Sequence, residues 1–197
     1  MSRWLRCDKK WAVLQRGEPV KKEWPVTARL RLRQLEMADA PKLQPILQDI
    51  EVMYAWEHAF SEREVTEWLL ENLRRYETDG YSYLAAETEG GALAGVTGLL
   101  TEHVNGKPML GIGWIFDKRF WGQGYAREGA EALLQYAFQV LGAGRVIAEI
   151  RPENLPSRRL AERLGMRQTD SFCKIYCGKP MEHLIYELTR PGHVFCG

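Results

Sequence analysis

The sequence has few cysteines and no long apolar run, and each absence excludes a class of protein. The four cysteines among 197 residues form no Cys-x-x-Cys pair, so neither a zinc site nor a disulfide framework is expected. We read them as free thiols in a reducing compartment and expect no metal. No apolar stretch approaches the roughly 20 residues of a membrane-spanning helix, and the N-terminus lacks the apolar block of a secretory signal. These absences predict a cytoplasmic protein without a membrane segment.

An excess of charge of one sign is also missing. The 27 lysines and arginines nearly balance 26 aspartates and glutamates, which argues against a general nucleic-acid or membrane-surface binder. The first 29 residues are an exception, since basic residues dominate there and three tryptophans are interleaved. Such a stretch either contacts RNA or a ribosome or packs on the rest of the chain or on a second copy, so a homo-oligomer stays open. We divide the chain into an N-terminal extension (1–29), one main domain (30–190) and a C-terminal tail (191–197).

Apolar periodicity and turn residues predict the order of elements. Residues 30–35 alternate apolar and polar side chains, as a half-buried strand does. Ser61 and Glu64 form a capping box at the start of a helix, and Asn105-Gly106 is typical of a tight β-hairpin. Further strands are expected at 81–87, 93–100, 109–116, 145–150, 172–176 and 183–188. With the helices between them, these strands predict an α+β fold: a mixed, mostly antiparallel central sheet with helices on both faces.

The octapeptide at 120–127, FWGQGYAR, links a predicted strand to a predicted helix. Gly122 and Gly124 can adopt backbone angles closed to other residues, and without Cβ atoms they let a ligand approach the main chain. A helix N-terminus after such a loop points free N–H groups and the positive end of the helix dipole at one spot, where phosphate binds. We therefore predict a pyrophosphate cradle here, with Arg127 as a nearby positive charge.

Two common phosphate loops do not fit this stretch. A dinucleotide-binding fold needs glycine or alanine where Arg127 stands, and the sequence has no Gly-Lys-Ser/Thr triplet of a P-loop. The segment 121–126 instead resembles the coenzyme A loop of the GNAT superfamily of N-acetyltransferases, written Gln/Arg-x-x-Gly-x-Gly/Ala, with Gly124 and Ala126 at its last positions. Trp121 in place of the leading Gln or Arg is similar to the branch of the ribosomal-protein-alanine N-acetyltransferases.

A second stretch, 151–166, resembles the other signature of the same superfamily. It reads RPENLPSRRLAERLGM, a strand that ends in an Asn-x-x-Ser turn and a short helix closed by Leu-Gly-Met. The two signatures occur in the order and at the separation found in the family. The resemblance implies transfer of an acetyl group from acetyl-CoA, the co-substrate, to a primary amine by direct attack in a ternary complex. The acceptor stays open between a protein N-terminal amine and a small-molecule amine.

The resemblance also implies where the coenzyme lies. Two strands of the family's sheet splay apart to admit the pantetheine arm, and here they would end near Phe116 and Ile150. A backbone N–H near Phe116 is the expected donor to the thioester carbonyl oxygen, and Asn154 would hydrogen-bond the coenzyme arm or an ordered water. The expected cofactor contacts are Phe116, Gly122, Gln123, Gly124, Tyr125, Ala126, Arg127, Asn154 and Ser157.

The catalytic and acceptor residues are less directly implied. Many relatives carry a tyrosine acid where this chain has Ala161, so Ser157 is the expected partner of the leaving thiolate, unless it only caps a helix. Glu149, on a strand beside the site, is the candidate general base, with Tyr176 as its substitute; an amine that arrives deprotonated needs neither. In the family, the segment between the first two helices helps line the acceptor pocket. The candidates there are Tyr54, Trp56, Glu57 and His58. Taken singly, the two aromatics are better explained as core residues, whereas Glu57 and His58 suit the surface and the pocket equally.

Two other classes of function remain open. A non-catalytic acyl-CoA-binding module would keep the glycine loop, and Ala161 in place of the tyrosine favours it, whereas the intact Asn154 and Ser157 favour an enzyme. The hypothesis of an adaptor that contacts RNA or a ribosome depends on residues 1–24 alone. Turnover against a panel of amines separates the enzyme from the module.

Overall fold

The structure is a computed structural model that describes residues 23–176 and 178–190. Most of the basic extension, the C-terminal tail and Cys7, Cys177 and Cys196 lie outside the described residues. Within these residues the chain forms seven strands: β1 Leu30–Gln34, β2 Tyr83–Thr88, β3 Leu93–Val104, β4 Lys107–Phe116, β5 Arg145–Ile150, β6 Arg167–Tyr176 and β7 Lys179–Thr189. The four α-helices found there are α1 Ala40–Leu47, α2 Glu62–Thr78, α3 Tyr125–Gln139 and α4 Leu155–Arg163.

These strands form one sheet in the order β1-β2-β3-β4-β5-β7-β6. Neighbouring strands are antiparallel except β4 and β5, which run parallel. The predicted hairpin at Asn105-Gly106 closes β3 on β4, and both turn residues have positive φ, 50° and 76°, as a tight turn of this kind requires. The α+β fold with a mixed, mostly antiparallel sheet is therefore confirmed.

Helices cover both faces of the sheet. On one face lie α1 and α2, where Leu43 shares a buried cluster with Ile115 of β4. On the other lie α3 and α4, where Leu133 and Ala161 share a second cluster with Phe116. Ile115 and Phe116 are successive residues of one strand, and successive strand side chains point to opposite faces. The sheet therefore separates the two clusters.

A helix or strand boundary that a sequence motif marks lies where the sequence predicts it. The starts of β6 and β7, which no motif marks, lie elsewhere. The capping box of α2 is present, with the Glu64 N–H donating to Oγ of Ser61 at 3.3 Å. β6 begins at Arg167 and β7 at Lys179, five and four residues before the expected starts at 172 and 183. β6 is an edge strand with mostly exposed side chains, so it lacks the apolar alternation by which a half-buried strand is recognised.

The parallel pair β4 and β5 splays apart. Gly111 and Ile147 are its one bridged pair within the described chain, and beyond it β4 continues to Phe116 and β5 to Ile150. The predicted opening between these two strand ends is confirmed. It is the gap in the sheet around which the candidate site is built.

Candidate active site

A cavity of about 960 Å³ opens at the gap between β4 and β5. One part, which we call the loop end, is lined by Gly122, the segment 124–127 and Ser157. The other part, the aromatic end, lies on the face of α1 and α2. It is lined by Trp56, Phe60, Trp68, Arg75, Tyr83, Glu102, Glu149, Arg151, Lys174, Tyr176 and His183. Because the gap joins both faces of the sheet, one cavity can hold a donor on one side and an acceptor on the other.

Most of the residues predicted from the sequence meet in this cavity. Those in its lining are Tyr54, Trp56, Phe116, Gly122, Gly124, Tyr125, Ala126, Arg127, Glu149, Asn154, Ser157 and Tyr176. The side chain of Gln123 turns away, since its Nε2 donates to the carbonyl of Arg119 at 2.8 Å. Glu57 and His58 also lie outside the lining: Glu57 pairs with Arg151 at 3.1 Å, and Nε2 of His58 lies 2.9 Å from Oε1 of Glu64.

The glycine loop has the form of an anion cradle. Gly122 and Gly124 have φ of 73° and 83°, the left-handed region that favours glycine. Gly124 is the N-cap of α3, and its carbonyl accepts the first bond of the helix, from Glu128 N–H at 3.0 Å. Within residues 23–176 and 178–190, the backbone N–H groups of 122–127 have no hydrogen-bond acceptor. Unpaired N–H groups at a helix N-terminus are the arrangement that binds phosphate.

Trp121 fixes the loop to the end of β4. Its indole Nε1 donates to the carbonyl of Phe116 at 2.7 Å. The next N–H along the chain, of Asp117, donates across the β3–β4 ladder to Ala94 at 2.9 Å. Since alternate residues of an antiparallel ladder point their N–H groups to opposite sides, the N–H groups of Trp114 and Phe116 point into the gap. This is where the sequence predicts the donor to the thioester carbonyl oxygen.

Arg29, which sequence reasoning missed, holds the loop from outside. Its Nη1 donates to the carbonyl of Gln123 at 3.0 Å, and its guanidinium lies 4.5 Å from the centre of the Tyr125 ring. Its Nε donates to Glu128 at 2.7 Å, and Oγ1 of Thr27 donates to the same carboxylate at 2.6 Å. The segment before β1 is therefore attached to the first turn of α3.

We expect Arg29→Ala to raise the dissociation constant of acetyl-CoA by about fivefold, because one charge-assisted hydrogen bond contributes roughly 1 kcal/mol or more to the loop geometry. Calorimetry measures this change. Arg31→Ala is the matched control, since Arg31 is an exposed arginine of β1, two residues further along the chain. Equal coenzyme affinity in both variants would show that Arg29 does not position the loop.

A hydrogen-bonded group of four side chains lies beside the gap. Oδ1 of Asn154 accepts from the hydroxyl of Tyr54 at 2.7 Å and from the backbone N–H of Ser157 at 3.1 Å. The indole Nε1 of Trp114 donates to Oγ of Ser157 at 3.1 Å. Asn154 therefore caps α4 and anchors the segment between α1 and α2, and the Ser157 hydroxyl keeps its own proton for another acceptor.

Glu149 is a buried carboxylate that is only half satisfied. Its Oε2 accepts from Nζ of Lys174 at 2.8 Å, while Oε1 is buried and has no hydrogen-bond partner within the described residues. Burial, and then the charge of Glu102, raise the pKa of Glu149 against the opposing effect of Lys174. A carboxylate with a raised pKa and a free oxygen suits a group that accepts a proton from an amine.

Two more titratable groups line the aromatic end. Tyr176 lies at the end of β6. Nδ1 of His183 lies 3.0 Å from the carbonyl of Met181, which fits a neutral ring that donates from Nδ1. Burial, together with the charges of Lys174 and Arg151, lowers the pKa of His183 below its ordinary value, so the ring is neutral at physiological pH.

The residues that the sequence did not indicate share one property: each acts through a contact distant in the chain. Lys174 meets Glu149 across 25 positions and Glu102 across 72. The alternation of β6 could have placed Lys174 on the same face as Tyr176, but nothing local indicates that β6 lies beside the site. The described residues contain no group of three or more His, Cys, Asp or Glu placed to hold a metal, and none of their helices is long and apolar enough to cross a membrane.

Comparison with known proteins agrees with this geometry. The model of the family described as an acetyltransferase (GNAT) domain matches residues 29–167. YkkB, an uncharacterised protein of Bacillus subtilis, is 34% identical over 151 residues, which make up 76% of this chain and 88% of that protein. A GNAT-family acetyltransferase from Bacillus anthracis is 27% identical, with a TM-score of 0.71 over 83% of this chain and 96% of its own.

A RimL ribosomal-protein acetyltransferase in complex with coenzyme A has a TM-score of 0.68 over 84% of this chain and 96% of its own. At 21% identity this likeness shows the fold alone. The family match and the Bacillus relative cover most of the chain. The chain therefore belongs to the GNAT family and is an acetyl-CoA-dependent acetyltransferase.

Proposed function

We propose that this chain transfers the acetyl group of acetyl-CoA to a primary amine by direct attack within a ternary complex. The observation that carries the proposal is that the glycine loop and Glu149 line one cavity. Within the described residues, the N–H groups of 122–127 and Oε1 of Glu149 have no hydrogen-bond partner. The first group suits a pyrophosphate and the second suits an ammonium proton. A donor and an acceptor can therefore meet at the gap between β4 and β5.

Binding places the thioester at that gap. In this proposal the loop N–H groups hold the pyrophosphate, and the pantetheine arm runs between the splayed strands. The thioester carbonyl then lies at the N–H groups of Trp114 or Phe116, which stabilise the negative charge that develops on the oxygen. Asn154 already accepts two hydrogen bonds through Oδ1, so its remaining amide N–H groups are available to the coenzyme arm.

Glu149 supplies the base. The acceptor ammonium gives a proton to Oε1, and the neutral nitrogen attacks the thioester carbon. A C–N bond forms, the C–S bond breaks, and coenzyme A leaves as a thiolate. The nitrogen loses its second proton as it becomes an amide, the thiolate takes up one proton, and Glu149 returns its own proton to solvent. Tyr176 is the substitute proton carrier if Glu149 does not act.

Ser157 supplies the hydrogen bond to the departing thiolate. The hydroxyl has one proton and two acceptor sites, and Trp114 already occupies one acceptor site. The proton is thereby left for a group in the cavity that Ser157 lines. Trp114 is in this way a positioning residue for the hydroxyl.

Ser157→Ala is expected to lower kcat by about 10- to 100-fold, at or below the lower limit of general acid catalysis, because water can replace the hydroxyl. Acetyl-CoA affinity should stay within about twofold, because the loop N–H groups do most of the binding. Single-turnover rates with a saturating amine measure the effect. Full activity where chemistry limits the rate would reduce Ser157 to a residue of the α4 cap, and Tyr176 would be changed next.

The sequence left a non-catalytic acyl-CoA-binding module open because Ala161 stands in place of the family's tyrosine, whereas membership of the GNAT family identifies an enzyme. One measurement distinguishes the enzyme from the module: the release of free thiol from acetyl-CoA in the presence of a panel of amines. Tight binding of acetyl-CoA without amine-dependent thiol release would identify a module. The half-satisfied Glu149 in the cavity favours the enzyme.

A further inference from the structure

We infer that the acceptor is a small monoamine on an apolar, preferably aromatic, body with no carboxylate beside its amine. The inference rests on the proposed function, since it concerns the amine that would meet Glu149. It is carried by the charges and the rings of the aromatic end. Neither the glycine loop nor the family match contributes to it.

Three charged side chains, Lys174, Glu149 and Glu102, form what we call the floor of the aromatic end. Together they carry one more negative than positive charge. Nζ of Lys174 lies 2.8 Å from Glu149 and 3.4 Å from Glu102, so one ammonium is shared by two carboxylates. The Glu102 side chain reaches this place across β4 at Gly111, where an added Cβ would lie 2.6 Å from Cγ of Glu102. A second ammonium, that of the acceptor, would balance these charges and give Glu149 a partner for Oε1, which has none in the part of the chain that the structure describes.

The other cations of the aromatic end already have carboxylate partners. Nε of Arg75 lies 3.0 Å from Glu71, a carboxylate that it shares with Arg74. Arg151 pairs with both Glu57 and Glu153. Nε of Arg151 itself has no acceptor within the described residues, but two carboxylates already offset its charge. A carboxylate on the carbon that bears the amine would lie beside Glu149 and Glu102 and would therefore meet two like charges, which is unfavourable.

The walls are aromatic. The rings of Trp68 and Tyr83 lie 5.4 Å apart between centres and are tilted by 41°. Trp56 and Phe60 pack with them against the cluster below α1 and α2. Tyr83 extends across the sheet to Gly113 of β4, which has no Cβ that would clash with its hydroxyl. Rings at this place both bury an apolar body and attract a cation over their faces.

Three probes that differ at one carbon test the inference: phenethylamine, phenylalaninamide and phenylalanine. We expect kcat/KM for phenethylamine to exceed that for phenylalanine by about 100-fold, the effect of an unfavourable like-charge contact. Phenylalaninamide, which imitates a protein N-terminus, should fall between them. Equal values for phenethylamine and phenylalanine would overturn the inference, and a tenfold preference for phenylalaninamide would point to a protein N-terminus instead.

Glu102→Gln shows whether the floor charge causes the preference. It should reduce the phenethylamine-to-phenylalanine ratio about tenfold, while coenzyme affinity stays the same. Glu89→Gln is the matched control, because Glu89 is exposed in the turn between β2 and β3, and it should leave the ratio unchanged. A ratio that Glu102→Gln does not change would overturn the electrostatic explanation and with it the inference.

Calorimetry on the complex with coenzyme A separates this inference from the proposed function. Phenethylamine should bind that complex more tightly than phenylalanine, whether or not acetyl transfer follows. Preferential binding without any transfer from acetyl-CoA would refute the proposed catalysis and leave the inferred ligand class standing. Acetyl transfer without preferential binding of phenethylamine would support the proposed catalysis and refute the inferred ligand class.

Discussion

Replacing Gly124 with valine is expected to raise the dissociation constant of acetyl-CoA by about 100-fold or more. Gly124 caps α3 with a φ of 83°, which a β-branched residue rarely adopts. Valine would move the loop out of this conformation and place a side chain beside Arg29, whose Nη2 would lie 3.4 Å from the new Cβ. The loss of two charge-assisted hydrogen bonds to phosphate, roughly 1.5–3 kcal/mol each, accounts for the magnitude.

The effect on binding must be separated from the cost of strain. Gly142→Val is the matched control, because Gly142 lies beyond the end of α3, has a φ of 69° and has open space where its Cβ would be. Each variant should lose about 1–3 kcal/mol of stability from backbone strain, as measured by denaturant unfolding. Only Gly124→Val should lose coenzyme affinity in calorimetry. Unchanged affinity in a folded Gly124→Val variant would place the pyrophosphate elsewhere.

Glu149→Gln is expected to lower kcat/KM by about 100- to 1,000-fold, within the range of general base catalysis. The amide keeps the shape of the side chain but cannot take a proton from the ammonium. The variant should recover activity only as the pH approaches the pKa of the acceptor itself, where the amine arrives already neutral. If Glu149→Gln and the unsubstituted protein had the same pH–rate profile, Glu149 would not be the base.

The acidic limb of that profile should report the environment of Glu149. Burial and the neighbouring Glu102 raise the pKa of Glu149 above its ordinary value near 4.5. A base works in its deprotonated form, so the rate should increase with pH through this raised pKa. Glu102→Gln removes one of the two causes and should move the limb towards lower pH, whereas Glu89→Gln should not move it. A shift towards higher pH would contradict the proposed arrangement of charges.

Features made by residues that are neighbours in the sequence could be predicted from the sequence. The glycine loop could be predicted from eight residues, because positive φ at two glycines and a following helix are properties of neighbouring residues. The capping box of α2 and the Asn105-Gly106 turn are of the same kind. The order of strands and helices followed from apolar periodicity, which reports burial on one face of each element.

Only the tertiary structure decided which side chains meet at the gap. Tyr54 reaches Asn154 across 100 positions, and Arg29 reaches Gln123 across 94. The sequence by itself was enough to predict the candidate coenzyme loop, because a phosphate cradle is made by consecutive N–H groups. It could name Glu149 as a candidate base but not the charges around it, because these come from Lys174 and Glu102, which different strands of the sheet bring to it. Pairing between strands that are distant in the chain is set by the packing of the whole sheet, so the sequence pattern of a single strand does not predict it.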